Sequence, residues 1–351
     1  MKIGHKIKIL VTHPEHWSRG YAPEHGAEVV WVDPGGDHPK RMDGAPTGDG
    51  IGQVTTVDGI EQLKQAACSF KPDVFLFAIH HKFEPWVVDA VRAWSGGCKV
   101  AMHYTDQRDG VSPDVSKYHG LLDLLLVTNR DPEDHAKYVK AGMTPVVRTM
   151  LDGVDLDVYN ARATWGVSAH HDVFFGGHNY HGLVRQFQQA GREPPPEIIL
   201  SGGLFRDRLL GEINNRFDLV VRGTYGWGPE FKVKPPIYHP GYVYAMREGK
   251  ILLSTTNAPR RGLVTRRTLR SLASGRLFMT DQLLDMDPDM VDGRNIVVYK
   301  SKDECLSKIE NYLADANERR KVEASGARLV AEKHTYPHRL DDFVRIVKEV
   351  F

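Results

Sequence analysis

Short apolar runs alternate with amphipathic stretches along almost the whole chain, a pattern that predicts parallel sheets covered by helices. The first run, Lys6 to Val11, predicts a strand, and Ala27 to Val32 predicts a second. A helix over 59–69 leads through Lys71-Pro72-Asp73 to an apolar strand at 74–79. A helix at 85–94, a strand at 99–103, a buried strand at 121–128 and a helix capped by Asp131 and running to Lys140 follow, and Val146-Val147 ends this half. Residues 152–168 lack periodicity and read as a linker. The alternation then restarts with a strand at 172–175, the turn Gly176-Gly177-His178-Asn179-Tyr180 and a helix at 181–190. Strands are expected at 197–201, 219–222 and 250–254, with a helix at 240–247. Val297 to Tyr299 adds a short strand and 303–333 reads as two charged helices. Tyr336 to Phe351 is amphipathic, with Leu340, Phe343, Val344 and Val347 on one side. Two strand–helix alternations separated by an aperiodic stretch predict two doubly wound α/β halves with right-handed crossovers.

One segment, Arg260 to Asp281, stands apart by its charge. Thr265 is placed as N-cap of a short helix in which Leu269, Leu272 and Ala273 recur at helical spacing, and Gly275 falls where a left-handed C-terminal cap is wanted. Arg266 and Arg267 lie in its first turn and Arg270 in the next, where the helix dipole disfavours cations. A bound anion would reverse that sign. A solvated basic face whose Arg stems cover apolar surface is the alternative.

Composition narrows the class. The chain has 351 residues, 41% hydrophobic and 26% charged, with a net charge of +1. Two domains of an ordinary globular protein are expected, without a global field that would attract nucleic acid. Ile7 to Val11 is too short for a signal-peptide core or a membrane span. Three widely separated cysteines, Cys68, Cys98 and Cys305, point to reduced thiols, a cytoplasmic compartment and no structural zinc.

Candidate chemistry collects at the carboxyl ends of strands, where open parallel sheets bind ligands. His13, Glu15 and His16 follow the first strand, and His103-Tyr104-Thr105-Asp106 closes another. The loop 33–53 is rich in Gly, Pro and Asp. The turn at Gly176-Gly177 allows close backbone approach to a ligand, and Gly223 to Gly228 forms a second glycine-rich turn carrying Tyr225 and Trp227. Asp285, Asp287 and Asp289 mimic a metal-binding pair but read as a solvated loop.

The stretch from Arg267 to Arg339 resembles the C-terminal signature of GT-B glycosyltransferases, in particular the spore-maturation CgeB-like group. Arg267, Leu269, Ala273, Gly275 and Asp281 match its first part, and Glu318-Arg319-Arg320, Gly326 and the run His334 to Arg339 match its second. Asp172 to Tyr180 resembles the strand and turn opening the family's second domain, and His103 to Asp106 and Thr128-Asn129-Arg130 resemble landmarks of its first. The resemblance implies two Rossmann-like domains, 1–160 on the acceptor side and 161–337 binding nucleotide sugar, with the C-terminal helix 338–351 crossing back to the first. It implies transfer of a sugar from a nucleotide-diphosphate sugar in the interdomain cleft to an acceptor hydroxyl, with no metal and no resident cofactor. The donor would meet Gly177, Asn179 and Tyr180 of the first turn and Tyr225 and Trp227 of the second. Gly262, Thr265, Arg266, Arg267 and Arg270 around the helix start would complete its site. The base would be His16, His13, Glu15 or Asp106, in that order. Two family glutamates are replaced by Arg270 and Gly262, which leaves the donor and the stereochemistry open. The acceptor is a glycan, small molecule or protein. Alternatives are a DNA glycosyltransferase acting on hydroxymethylated pyrimidines and a non-catalytic nucleotide-sugar binder.

Overall fold

The computed structural model describes residues 6–12, 26–32, 57–78, 83–105, 109–160, 168–237, 241–281 and 284–351. The chain divides into two compact units, Met1–Gly153 with Tyr336–Phe351, and Val154–Thr335. The first contains β1 (Ile7–Thr12), β2 (Ala27–Trp31), α1 (Val57–Phe70), β3 (Val74–Ala78), α2 (Pro85–Ser95), β4 (Lys99–Tyr104), α3 (Pro113–Ser116), β5 (Leu124–Val127), α4 (Pro132–Lys140) and β6 (Val147–Thr149). Its strands pair in the order β2-β1-β3-β4-β5-β6, all parallel. Residues of β3 are buried along their whole length because both faces of the sheet are covered. Asp131 caps α4 by accepting from the Glu133 amide at 3.0 Å.

The second unit contains β7 (His171–Gly176), α5 (Tyr180–Gln189), α6 (Gly203–Arg216), β8 (Leu219–Arg222), β9 (Val233–Lys234), α7 (Tyr242–Met246) and β10 (Gly249–Leu253). It continues with α8 (Arg266–Ala273), β11 (Leu277–Asp281), β12 (Val297–Tyr299), α9 (Lys302–Ala314) and α10 (Ala316–Lys333). The parallel sheet runs β9-β8-β7-β10-β11-β12. This is the Rossmann strand order, with the topological switch point between β7 and β10. Both halves are thus doubly wound α/β units with separate sheets, as the alternation predicts.

The expected strand at 197–201 is not formed. Pro196–Ile198 is a 3-10 turn and α6 begins at Gly203. The Ile198 and Ile199 amides donate instead to the Pro195 and Pro196 carbonyls at 3.1 Å each, in a turn that the fixed φ of the prolines favours. The helix expected at 240–247 is the shorter α7.

The last helix, α11 (Tyr336–Val350), belongs to the first unit. Its Leu340, Phe343, Val344 and Val347 pack with Ile7, Ile9, Val11, Val74, Leu76 and Leu126 on one face of the first sheet. Phe75 and Phe77 of β3 face the other way, toward Leu63 of α1 and Val87, Val88 and Val91 of α2. In the second unit Val173, Phe175, Ile251 and Leu253 pack with Leu209, Leu210 and Ile213 of α6 and with Cys305 and Ile309 of α9. Helix α8 packs on α10 and β11. Among the described residues no helix is long and apolar enough to cross a membrane.

Phe343 is fully buried between α11 and the sheet. Phe343→Ala is expected to cost about 3–5 kcal/mol in the unfolding transition that carries the first unit, read by urea denaturation. A loss below about 1 kcal/mol would contradict this placement of the helix.

Candidate functional site

The second unit gathers its charge at the switch point. Arg206 of α6 is buried there and bridges the loops after the two central strands. Its Nη1 donates to the His178 carbonyl at 3.1 Å, its Nε to Thr255 Oγ1 at 2.9 Å and its Nη2 to the Thr255 carbonyl. Burial first, and then the Arg267 cation, push its pKa down to about 9, so the guanidinium keeps its proton at neutral pH. Asp281, at the end of β11, acts in the opposite direction. Its carboxylate accepts from the Thr256 amide and hydroxyl at 3.0 Å each.

Helix α8 points its first turn at the same place. Thr265 caps it, with Oγ1 accepting from the Thr268 amide at 3.2 Å. Gly275 follows its end with φ 74°. The helix therefore starts and stops where the sequence puts it. Arg267 lies over the Phe175 ring, 5.8 Å from its centroid. Gly177 has φ 151°, and a Cβ there would stand 3.2 Å from Arg267 Nη2. Only glycine combines that backbone conformation with so close an approach. Arg270 lies over the Tyr159 ring at 4.9 Å. Neither Arg267 nor Arg270 has a hydrogen-bond or ion-pair partner among the described residues. Arg266 lies near Tyr159 as well.

The two glycine-rich turns interlock. Gly223 sits directly on the Gly177 carbonyl, so that any Cβ would collide with it. Trp227 Nε1 donates to the same carbonyl at 3.2 Å, and its ring packs on Phe175 and Phe231. Asn179 is buried and committed to the scaffold: Oδ1 caps α5 by accepting from the Gly182 amide at 3.0 Å, and Nδ2 donates to Asp207 at 2.6 Å. The Gly262 amide donates to the Leu284 carbonyl at 2.5 Å, so it is committed to a turn. Of the expected donor residues, Tyr180 and Tyr225 contact the His178 ring and Arg267 lies against Gly177, while Trp227 and Asn179 hold the turns together. Arg270 extends the basic surface toward Tyr159.

Sequence reasoning missed Arg206 and His178. The His178 ring contacts Tyr225, centroids 5.1 Å apart, and Tyr180 at 5.8 Å. Its Nδ1 is buried with no hydrogen-bond partner among the described residues. Burial, then Arg267, then Arg206 hold its pKa below the ordinary 6.5, which keeps it neutral at physiological pH. Its place in the Gly-Gly-His-Asn-Tyr turn was the available signal.

The expected bases His13, Glu15, His16 and Asp106 lie outside the described residues, as does the loop 33–53. In the first unit His103 is buried, with Nε2 3.1 Å from the Met150 carbonyl. Asn129 is likewise buried, donating to Asp134 at 2.8 Å. In the second unit Asp285 pairs with Arg261, Asp289 with Lys333 at 2.8 Å, and Asp287 accepts from the Asp289 amide at 3.0 Å.

Comparison with known proteins bears on this geometry. Residues 205–345 match a family model described as glycosyl transferase-like. No curated protein matches the chain. Among solved structures, a glycosyltransferase from Rickettsia africae ESF-5 aligns with TM-score 0.54 at 11% identity, over 98% of this chain and 98% of its own. Sucrose-phosphate synthase from Thermosynechococcus elongatus aligns with TM-score 0.51 at 13% identity, over 99% and 89%. The N-terminal domain of Candida albicans trehalose-6-phosphate phosphatase aligns with TM-score 0.51 at 10% identity, over 100% and 98%.

A depressed His178 pKa has a testable sign. A histidine whose folded pKa lies below its unfolded value contributes stability above the unfolded pKa, and that stability falls as pH drops from about 6.5 toward the folded value. The His178 ring followed by NMR is expected to titrate below 6.5 and to rise when pyrophosphate binds. A midpoint at or above 6.5 without ligand would contradict the account.

The chain thus shares a fold of two Rossmann-like units with these structures, and residues 205–345 within it match the glycosyl transferase-like family model.

Proposed function

We propose that the chain moves a sugar from a nucleoside-diphosphate sugar to an acceptor hydroxyl, with the donor diphosphate seated against Arg267 and the Gly176–Gly177 turn. The observation that carries this reading is the half-buried Arg267 guanidinium, without a protein acceptor among the described residues, held against Gly177 beyond the carboxyl end of a central strand. A leaving diphosphate needs its negative charge met as the glycosidic bond breaks. Arg267 and Arg266 supply donors in planar forks suited to phosphate oxygens, the role that a divalent cation fills in other transferases.

Around this seat the remaining roles follow. Tyr225 is 38% exposed and tilted on the His178 ring, so it offers a face on which a base or sugar can stack. Neutral His178 offers an unspent ring nitrogen beside it. The first unit would supply the acceptor and its base, with His16, His13, Glu15 and Asp106 as candidates. The fold shared with a glycosyltransferase and a sucrose-phosphate synthase supports the donor class. The motif run from His334 to Arg339 supports a place in the CgeB-like group.

The test is a thermal-shift screen of UDP-, GDP-, ADP- and dTDP-sugars, followed by calorimetry with the one that stabilises most. Arg267→Ala is expected to weaken that donor about ten- to a hundredfold, the loss of one charge-assisted hydrogen bond of about 1.5–3 kcal/mol. Unchanged affinity in Arg267→Ala, or a parent chain that none of the four donors stabilises, would end the reading. Release of free nucleoside diphosphate on adding acceptor separates an enzyme from a binding protein.

A further inference from the structure

Helix α7 brings Tyr242 against the Gly176–Gly177 turn. Its ring centroid lies 6.1 Å from that of Phe174. Its hydroxyl fills the space that a side chain at Gly176 would need, with Cε2 and Cζ 3.2 Å from the Cβ position. Successive residues of a strand face opposite ways. Phe174 and Gly176 therefore meet Tyr242, while Phe175 and Gly177 meet Arg267 on the other face. The turn has a hydrogen-bonding group on each side and no side chain of its own between them.

The hydroxyl has no hydrogen-bond partner among the described residues, although tyrosine hydroxyls packed inside a protein usually find one. Phenylalanine would pack on Phe174 equally well and would leave more room at residue 176. The polar atom is neither spent on the scaffold nor required by the packing. Burial raises the phenol pKa above the ordinary 10, so the group keeps its proton and can donate. It also adds no charge. Arg206 and Arg267 already oppose each other, and a further cation at the turn would add to that repulsion, whereas a neutral hydroxyl can meet a phosphate oxygen without it.

We propose that the Tyr242 hydroxyl is a further nucleotide-sugar-binding group of this same seat, donating to a diphosphate oxygen from the face of the turn opposite Arg267. The inference rests on the donor reading above, because it takes the anion at the turn to be the diphosphate. Two phosphoryl groups laid over a turn without side chains can be met from both sides, which fixes their orientation as well as their charge.

Calorimetry with pyrophosphate on the full chain compares the parent with Tyr242→Phe, which removes one oxygen and keeps the ring on Phe174. Affinity is expected to fall about fivefold or more, the effect of losing a hydrogen bond to a charged group. The thermal midpoint without ligand is expected to stay within about 3 °C of the parent or to rise, since no internal partner is lost. Gly176→Ala gives an independent measurement, because its methyl group takes the space of the hydroxyl. It is expected to weaken pyrophosphate in the parent and to have less effect in Tyr242→Phe. A loss below about fivefold in Tyr242→Phe, a midpoint lowered by more than about 3 °C, or equal effects of Gly176→Ala in both backgrounds overturns the assignment. Arg267→Ala separates the two readings. If it alone weakens pyrophosphate, the donor reading stands and the hydroxyl contact fails. If Tyr242→Phe weakens pyrophosphate and Arg267→Ala does not, the donor reading at Arg267 fails instead, and a parent that binds no pyrophosphate removes both.

Discussion

The buried guanidinium of Arg206 is the interaction on which the second unit's site depends. It joins the His178 carbonyl after β7 to Thr255 after β10, and so closes the switch point of the sheet from beneath. Its hydrogen-bond partners are neutral oxygens, which satisfy its donors, and Asp281 acts on its charge without a hydrogen bond to it. Removing it would leave those oxygens unpaired in a buried place, a loss that is costly wherever no water can replace the donor. Burial first, then Arg267 and then Arg206 keep His178 neutral, and Arg206 and Arg267 oppose each other. An anion arriving at this point meets a field already present before it binds.

The backbone around this arginine is fixed by close contacts rather than by long side chains. Gly223 lies on the Gly177 carbonyl, Trp227 donates to that carbonyl, and Asn179 ties the start of α5 to Asp207. These residues are spent on the scaffold. Arg267, Arg270 and the Tyr242 hydroxyl are not, since nothing in the described protein accepts from them. A ligand site is recognisable here by that division. The groups that build the turn have their hydrogen bonds satisfied, and the groups above it have donors to give.

The fold was readable because parallel strands covered on both faces are continuous apolar runs, and the runs at β3, β5, β7 and β10 are of that kind. Helix α8 was readable to the residue, with Thr265 opening it and Gly275 following its end, because caps are local chemistry. Ile198-Ile199-Leu200 misled because a short apolar run does not reveal whether its backbone donors can be used, and the prolines before it decided otherwise. Strand β9 has two residues and leaves no periodic trace. Arg206 could not be found locally. Its partners lie 28 and 49 residues away, and nothing in the pattern of α6 marks one arginine for burial over another. Asn179 and Trp227 were read as ligand contacts because the glycine turns were recognised, but which side chains such turns consume is a tertiary question.

Hydrogen–deuterium exchange with and without pyrophosphate tests the central claim, that the switch point of the second unit is a preformed anion seat, without requiring the donor to be known. Saturating pyrophosphate is expected to slow exchange in peptides covering 174–184 and 263–273 together, with no change in peptides covering 57–78 of the first unit. Protection at the basic edge around Lys232 and Lys234 instead, or uniform slowing across both units, would show that the arginines of α8 form a solvated basic face and would contradict the account.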